Sequence, residues 1–324
     1  MNRELPQTYP ALDNSHFSSP DLTIFLHLQN IHILLVTRII TRIGFKKAGD
    51  EMSKPRRRFK EVESARPDFD QSVEFVLSKT RSPEWKWGDG AHNRGVEDVL
   101  PKKHIEINPS EPGRRALDNY KLLISGINPR PIGFLSTRSE SEDGTILRNL
   151  APFSYTQVVN HDPPIFVVGF AGSGDKDTLK NLKASGECVI NIISEHFIEA
   201  ANAAAIDAPY GISEWSLTGL TPASCTEVKA DRVDESIFSV EGKVLEIRDF
   251  ESRLTKNTKS GSMAVIEGVR FWVREDALTE DQSSIDPAVL RPVSRLGGMV
   301  YARVTQGFEI PRPKYAEHRD KLPN

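Results

Sequence analysis

Apolar residues beyond Pro109 fall into short runs separated by turn signals, a pattern typical of a β-rich chain. Alternation of apolar and polar residues is clearest from Phe238 to Ile247 (FSVEGKVLEI), as expected of a strand in a sheet with one solvated face. The Asp143-Gly144 pair predicts a tight turn after the first strand. Further strands are predicted at Ile132–Thr137, Pro164–Phe170, Cys188–Ile193 and Met263–Val273.

Two helices interrupt this series of strands. The first is predicted over Asp177–Ala184, with an Asp cap at its start and Gly186 at its end; the second is predicted over Glu195–Ala205, after a Ser194 cap. Several antiparallel strands with only two helices favour a closed or partly closed barrel over a doubly wound parallel sheet. The sequence Gly172-Ser173-Gly174 lacks the third glycine of a dinucleotide fingerprint, which weakens that alternative further.

The first hundred residues do not show this pattern of short apolar runs. Leu22–Phe45 is strongly apolar but is interrupted by Arg38 and Arg42, and its uninterrupted part is too short to span a bilayer. Lysines follow this stretch instead of preceding it, unlike a signal peptide. We interpret it as an appendage without a role in the chemistry, with an anchor or targeting segment as the alternative. Met52, which opens an ordinary charged segment, is an alternative start of the protein.

Three further features lie before the main domain. The basic run at 54–60 (KPRRRFK) fits a solvated tail, with a nuclear-localisation or phosphate-contacting patch as the alternative. Asp68–His92 contains one possible short helix, and Trp85 and Trp87 would anchor this arm to the main domain or cover a ligand. The predicted division is an extension at 1–51, an arm at 52–100, a main domain at 101–310 and a tail at 311–324.

Composition narrows the class of ligand. A formal net charge of −3 argues against a surface for nucleic acid, and 38% apolar residues are enough for a buried core. The two cysteines, Cys188 and Cys225, do not have metal-ligand spacing, so we expect reduced thiols and no metal. A cytoplasmic protein acting on a small molecule is the expectation, and membrane association is not.

Asn149–Ser154 (NLAPFS) is the first candidate for ligand binding. Pro152 has no N–H, so it should force the segment out of ladder pairing and expose neighbouring amides to a ligand rich in acceptors, with Phe153 as a flat apolar surface. An edge-strand proline with a structural role is the alternative.

Ser173–Asn181 (SGDKDTLKN) is the second candidate. Free N–H groups at a helix start, together with Ser173, Lys176 and Thr178, suit a phosphate. Asp175 and Asp177 oppose that interpretation, because both could simply cap the helix.

An ordered set of motifs resembles the flavin-reductase-like, FMN-binding split-barrel family over roughly residues 100–310. The motifs are Arg130-Pro131-Ile132, Ser136-Thr137, NLAPFS at 149–154, Asp162-Pro163-Pro164, Lys176-Asp177-Thr178 with Asn181, and Arg291-Pro292 leading into Arg295-Leu296-Gly297-Gly298 with Tyr301.

The resemblance implies a mainly β fold with flanking helices, namely a homodimer of six-stranded split barrels that bind FMN in a groove near the subunit interface. The NLAPFS backbone, with Asn149 and Ser154, would face the isoalloxazine ring. The ribityl phosphate would be held by Ser136, Thr137, Lys176, Thr178 and Asn181. The RLGG motif and Tyr301 would approach the flavin or the second subunit. The cofactor-binding residues implied in this way are Ser136, Thr137, Asn149, Leu150, Ala151, Pro152, Phe153, Ser154, Lys176, Asp177, Thr178 and Asn181.

The activity implied is that of a flavoprotein oxidoreductase in which NAD(P)H gives hydride to flavin N5. The cofactor performs the difficult step, so no catalytic side chain is predicted. His161 is a weak candidate for a proton donor. A non-catalytic FMN-binding or sensor protein is the alternative, because related folds host both roles.

Overall fold

The computed structural model describes residues 59–91 and 103–322. The chain divides into two compact units, Met1–Asp70 and Gln71–Asn324. In the first unit, the described part holds one short helix, α1 (Phe59–Glu63). The predicted extension at 1–51 and most of the basic run at 54–60 lie outside the described residues. All that follows concerns the second unit.

Strands dominate the second unit, and seven of them form its main sheet. In chain order the strands are β1 (Val76–Ser78), β2 (Gly133–Glu140), β3 (Ile146–Phe153), β4 (Thr156–His161), β5 (Pro164–Ala171), β6 (Glu187–Ile192), β7 (Pro222–Ala223), β8 (Arg232–Val233), β9 (Phe238–Glu251), β10 (Lys259–Val273), β11 (Val293–Arg295), β12 (Tyr301–Arg303) and β13 (Gln306–Phe308). The five strand predictions are confirmed, with shifted ends.

The main sheet has the order β3-β2-β6-β9-β10-β5-β4, with every neighbouring pair antiparallel. Only Ser154 and Tyr155 separate β3 from β4, although these strands lie at opposite edges of the sheet. The chain therefore crosses from one edge to the other within two residues, which curls the sheet into a split barrel. The sheet has seven strands, whereas the resemblance implied six; β3 contains Asn149–Phe153, and β4 follows it.

Both faces of the barrel wall carry core residues. Phe134 and Leu135 are consecutive in β2 and therefore point to opposite faces, yet both are fully buried. Phe134 belongs to an outer cluster with Leu150, and Leu135 to a cluster with Val168. Strand β2 is therefore covered on both faces.

Six α-helices accompany the sheet in the described part of this unit. They are α2 (Ala116–Gly126), α3 (Asp177–Ser185), α4 (Ile198–Ala203), α5 (Glu214–Thr218), α6 (Pro287–Leu290) and α7 (Tyr315–His318). Of these, α3, α4 and α5 pack against strands of the sheet. Helix α3 forms over the predicted residues and ends at Gly186, whose φ of 72° is the left-handed conformation that glycine adopts readily. The predicted Asp cap is wrong, because Lys176 occupies the N-cap position. The second predicted helix is divided into a 3₁₀ turn at Glu195–Phe197 and α4, and the buried Ser194 hydroxyl makes no capping bond.

The arm before the barrel contains no helix within 68–91, so the short helix predicted there is wrong. Strand β1 forms instead, because it pairs in parallel with β13, a partner more than 200 residues away that a local pattern cannot reveal. The Trp87 ring lies 5.8 Å from the His318 ring, so this tryptophan contacts the C-terminal tail. No helix in the described ranges is long and apolar enough to cross a bilayer.

Candidate flavin site

The NLAPFS segment forms most of the edge strand β3. Pro152 stays in register opposite Phe134 of β2, so the expectation that it leaves the ladder is wrong. Leu150 donates its N–H away from β2, to Glu214 Oε2 at 3.0 Å. Backbone nitrogens two residues apart in a strand point to the same side, so the nitrogen of Pro152 faces the open edge as that of Leu150 does. A missing donor there disrupts no pairing.

Two hydrogen bonds clamp the start of α3 to the barrel wall. Asn149 Nδ2 on β3 donates to Thr178 Oγ1 at 2.7 Å, and Asn181 Nδ2 donates to Thr137 Oγ1 on β2 at 3.1 Å. All four residues are buried. The structure therefore brings these predicted cofactor-binding residues together, but as partners of one another.

Asn181 also accepts two hydrogen bonds from neighbouring hydroxyls. Ser139 Oγ donates to Asn181 Oδ1 at 2.9 Å, and Tyr210 OH donates to the same oxygen at 3.1 Å. The Tyr210 ring in turn lies 4.4 Å from Lys180 Nζ. We call Thr137, Ser139, Asn149, Thr178, Asn181 and Tyr210 the bracing network, since its bonds join α3, β2, β3 and the loop at 206–213.

Three further predicted residues direct their side chains into the protein. Ser136 is buried and donates to the Asp231 carbonyl. Leu150 lies in the outer core cluster, and the Phe153 ring packs edge-on against Phe170 at 4.8 Å. A ligand could meet these three positions only through their backbone. Ala151, Pro152 and Ser154 are half-buried.

The loop that leads into α3 carries polar side chains that are exposed, in contrast to the buried side chains of the bracing network. Ser173 and Lys176 are exposed, and neither side chain has a hydrogen-bond partner among the described residues. Lys176 occupies the N-cap position without a capping bond from its side chain, so the first N–H groups of α3 remain available. Free N–H groups and the positive end of the helix dipole together suit an anion.

The two aspartates beside this helix start are engaged by lysines. Asp175 pairs with Lys183 at 2.7 Å and with Lys259, and hydrogen bonds from these two lysines hold the pKa of Asp175 below its usual value. Asp177 pairs with Lys180 at 3.0 Å. Neither aspartate caps the helix, and their charges are offset locally, so they oppose an anion less than the sequence suggested.

Glu214 is a residue that sequence reasoning missed. The residue is 5% exposed, and its carboxylate accepts a hydrogen bond from the outward N–H of Leu150. Burial raises the pKa of Glu214, and the charge of Asp177 adds to the rise, while the Leu150 N–H opposes it. The sequence offers no signal for this role, because Glu214 lies in a segment whose position is decided only by folding.

The motifs at the two ends of the domain meet. Arg130 and Arg295 form a backbone bridge, and Arg130 also donates to the Leu296 carbonyl at 2.7 Å. Tyr301 lies under the Arg295 guanidinium at 4.2 Å, and its hydroxyl donates to Asn202 at 2.8 Å. Tyr301 is thus held by the protein itself. His161 is exposed at the end of β4.

The protein is an antiparallel split barrel in which the uncapped start of α3 lies beside the edge strand β3. Residues 125–303 match the family model described as a flavin reductase like domain. An uncharacterized protein of Halalkalibacterium halodurans is 33% identical over 222 residues, which are 67% of this chain and 100% of that relative.

Solved structures agree with this assignment. Nitrilotriacetate monooxygenase component B from Bacillus cereus has 30% identity and a TM-score of 0.59, covering 65% of this chain and 100% of its own. The 2-nitrobenzoate 2-nitroreductase of Pseudomonas fluorescens has 27% identity and a TM-score of 0.56, covering 66% of this chain and 98% of its own. The chain belongs to the flavin reductase like family and is a flavin-related oxidoreductase.

Proposed function

We propose that this protein binds FMN and passes hydride from NAD(P)H to it. The observation that carries the proposal is the uncapped start of α3, with Ser173 and Lys176 unengaged by the residues the structure describes, beside the edge strand that contains NLAPFS. An anion-binding element and a strand edge next to each other suit a ligand that has a phosphate at one end and a flat ring at the other.

In this proposal the phosphate lies at the helix start. The Lys176 ammonium, the Ser173 hydroxyl and the free amides of the first turn, including those of Asp177 and Thr178, would hold it. The predicted residues Ser136, Thr137, Thr178 and Asn181 act mainly by fixing the backbone behind it, because their side chains already have protein partners. A phosphate would thus meet a helix start whose position is already set.

The ring would lie along the open edge of β3, facing the backbone from Asn149 to Ser154. Ser154 is half-buried, and its hydroxyl has no partner in the described ranges, so it can donate to a ring oxygen or nitrogen. When bound, FMN supplies a hydride acceptor at N5, and the protein contributes orientation and fixed donors. Donors held in place stabilise negative charge on a ligand without having to reorganise.

A spectrum of the purified protein, followed by anaerobic titration with NADH and with NADPH, tests the proposal. The expected result is a visible flavin band that bleaches with at least one of the two nucleotides. A flavin band that ignores both nucleotides would favour the non-catalytic FMN-binding or sensor alternative. A protein that shows no flavin band and does not bind added FMN would refute the proposal as a whole.

We also propose a homodimer. Helix α2 buries only Ile124, whereas Leu117 and Tyr120, which share a helix face with Ile124, are 45 to 50% exposed. Such an apolar face on an amphipathic helix is normally covered. Light scattering should give twice the mass of the chain, and a Leu117→Asp variant should shift it toward a monomer; an unchanged mass in the variant would place the interface elsewhere.

Cytoplasmic localisation stays a prediction.

A further inference from the structure

A pocket of about 440 Å³ lies beside the point where the barrel closes. One wall comes from the end of α2 and the turn after it, with Leu123, Ile127 and Pro129, and the other from residues 154–157. Its volume falls in the range of small-molecule sites, roughly 300–1,000 Å³. Neither the bracing network nor the helix start of α3 lines it, so it is separate from the proposed phosphate site.

Arg130 carries the one charged side chain among the residues that line this pocket. The residue is only 7% exposed, and its Nε is buried without a partner. Its other nitrogens donate to neutral oxygens, namely the carbonyls of Ile124, Ile127 and Leu296 and the Asn128 side chain. No carboxylate pairs with it in the described part of the chain, so its full positive charge remains.

Part of that charge offsets the end of α2, because Ile124 and Ile127 present the last carbonyls of the helix. A helix C-terminus carries only about half a negative charge. A net positive potential therefore remains at the pocket wall. Arg130 supplies this field, and its existing hydrogen bonds need not break for a ligand to experience it.

The opposite wall contains residues whose side chains can donate hydrogen bonds. Ser154, Tyr155 and Gln157 all line the pocket, and none of their side chains makes a hydrogen bond within residues 103–322. Burial raises the pKa of Tyr155, with Tyr120 adding to the rise and Arg130 opposing it, so this hydroxyl keeps its proton at neutral pH. Donors, one positive charge and apolar walls suit a ligand that is flat, apolar and anionic.

We propose that this pocket binds a small aromatic carboxylate, with its ring against Leu123, Ile127 and Pro131 and its carboxylate toward Arg130 and the donors of residues 154–157. The inference rests on the proposed function in one respect. Ser154 is shared by the pocket and by the segment proposed to face the flavin, so the ligand would lie where a substrate of that flavin is held.

Titration calorimetry of the full-length protein with benzoate, and with benzamide as the neutral isostere, tests the proposal. Benzoate should bind at least about tenfold more tightly than benzamide, a difference of about 1.4 kcal/mol. Gln157→Glu should remove most of that preference by like-charge repulsion, while Gln306→Glu, the same change on an exposed strand outside the pocket, should leave it intact. Equal binding of both compounds, or binding of neither, would overturn the proposal.

Two variants of α2 test the location. Leu123→Trp should fill the pocket and weaken benzoate binding at least about tenfold. Leu122→Trp, on the same helix and similarly exposed but outside the pocket, should not. Equal effects of the two variants would contradict the location, and displacement of benzoate by FMN would show that the pocket is the flavin's own site.

The outcomes also separate this inference from the proposed function. A protein that binds FMN but not benzoate would discard the pocket proposal alone. Selective benzoate binding without any flavin binding would support the pocket and refute the function.

Discussion

The two ends of the segment Ser173–Asn181 both carry polar side chains, but one end is buried and hydrogen-bonded within the protein while the other is exposed. At Thr178 and Asn181 the side chains are buried and bonded to Asn149, Thr137, Ser139 and Tyr210. At Ser173 and Lys176 the side chains are exposed and unengaged by the described residues. The difference shows that one half of a motif can shape a site while the other half offers groups to a ligand, and residue type alone does not distinguish the halves.

The largest expected effect comes from breaking the buried half. Asn181→Ala should lower the free energy of unfolding by about 3 kcal/mol, because it leaves the hydroxyls of Thr137, Ser139 and Tyr210 without their shared partner. Urea unfolding measures this loss. Lys176→Ala is the control and should stay within about 0.5 kcal/mol of the original protein. If both variants lose stability equally, the two halves do not differ as described.

The exposed half should respond in affinity instead of stability. Lys176→Ala is expected to weaken FMN binding about tenfold, or about 1.4 kcal/mol, by removing a charge at the proposed phosphate position. Fluorescence titration with FMN measures the dissociation constant. Lys180→Ala removes a lysine from the same helix that is already paired with Asp177, so its effect should be smaller. A larger loss in the Lys180 variant would move the phosphate away from the helix start.

A smaller loss of stability is expected from a variant of Tyr210, the residue of the bracing network that lies in the loop at 206–213. Tyr210→Phe removes one hydroxyl that donates to Asn181 but keeps the ring beside Lys180. We expect the free energy of unfolding to fall by about 1 kcal/mol, the usual net value of one hydrogen bond. Chemical unfolding of this variant, compared with Asn181→Ala, measures how much of the network depends on Tyr210. No loss at all would show that the loop at 206–213 does not belong to the network.

The smallest expected effect depends on pH and concerns the carboxylate that holds β3. The native pKa of Glu214 is raised mainly by burial, so the folded state binds this proton more tightly than the unfolded chain does. Stability from this group is therefore present below the unfolded pKa and lost as pH rises through the native one. Glu214→Gln cannot ionise, so its stability relative to the original protein should increase across that window and then level off.

Unfolding curves recorded at a series of pH values measure this difference. The same curves for Glu199→Gln, which replaces an exposed glutamate on α4, are the control for the change of glutamate to glutamine. If Glu214→Gln behaves in the same way, ionisation of Glu214 does not oppose folding.

Local patterns were sufficient for most of the elements. The β-branched runs predict β2, β5, β6, β9 and β10, and the Asp-to-Gly pattern predicts α3 up to Gly186. The turn at Asp143-Gly144 forms as expected, with Gly144 at a φ of 81°. Each of these features depends on neighbours within a few residues, so the information is contained in a short stretch of chain.

Most of the site could not be obtained in this way. NLAPFS was expected to leave ladder pairing because Pro152 lacks a donor, but on an edge strand that donor would have faced away from the ladder. Whether a strand lies at an edge depends on the order of the whole sheet. Glu214 is a similar case, since it meets Leu150 across 64 residues.

The sequence by itself determined the strands, the helix start with its lysine, and the family to which this chain belongs, because these depend on local periodicity and on motifs with fixed spacing. Only the tertiary structure decided which polar residues are buried in the bracing network and which are left for a ligand. It also decided that Arg130 lies beside a pocket without a carboxylate partner. The physical reason is that hydrogen-bond satisfaction and burial are properties of pairs and surfaces, which exist only once distant segments have packed.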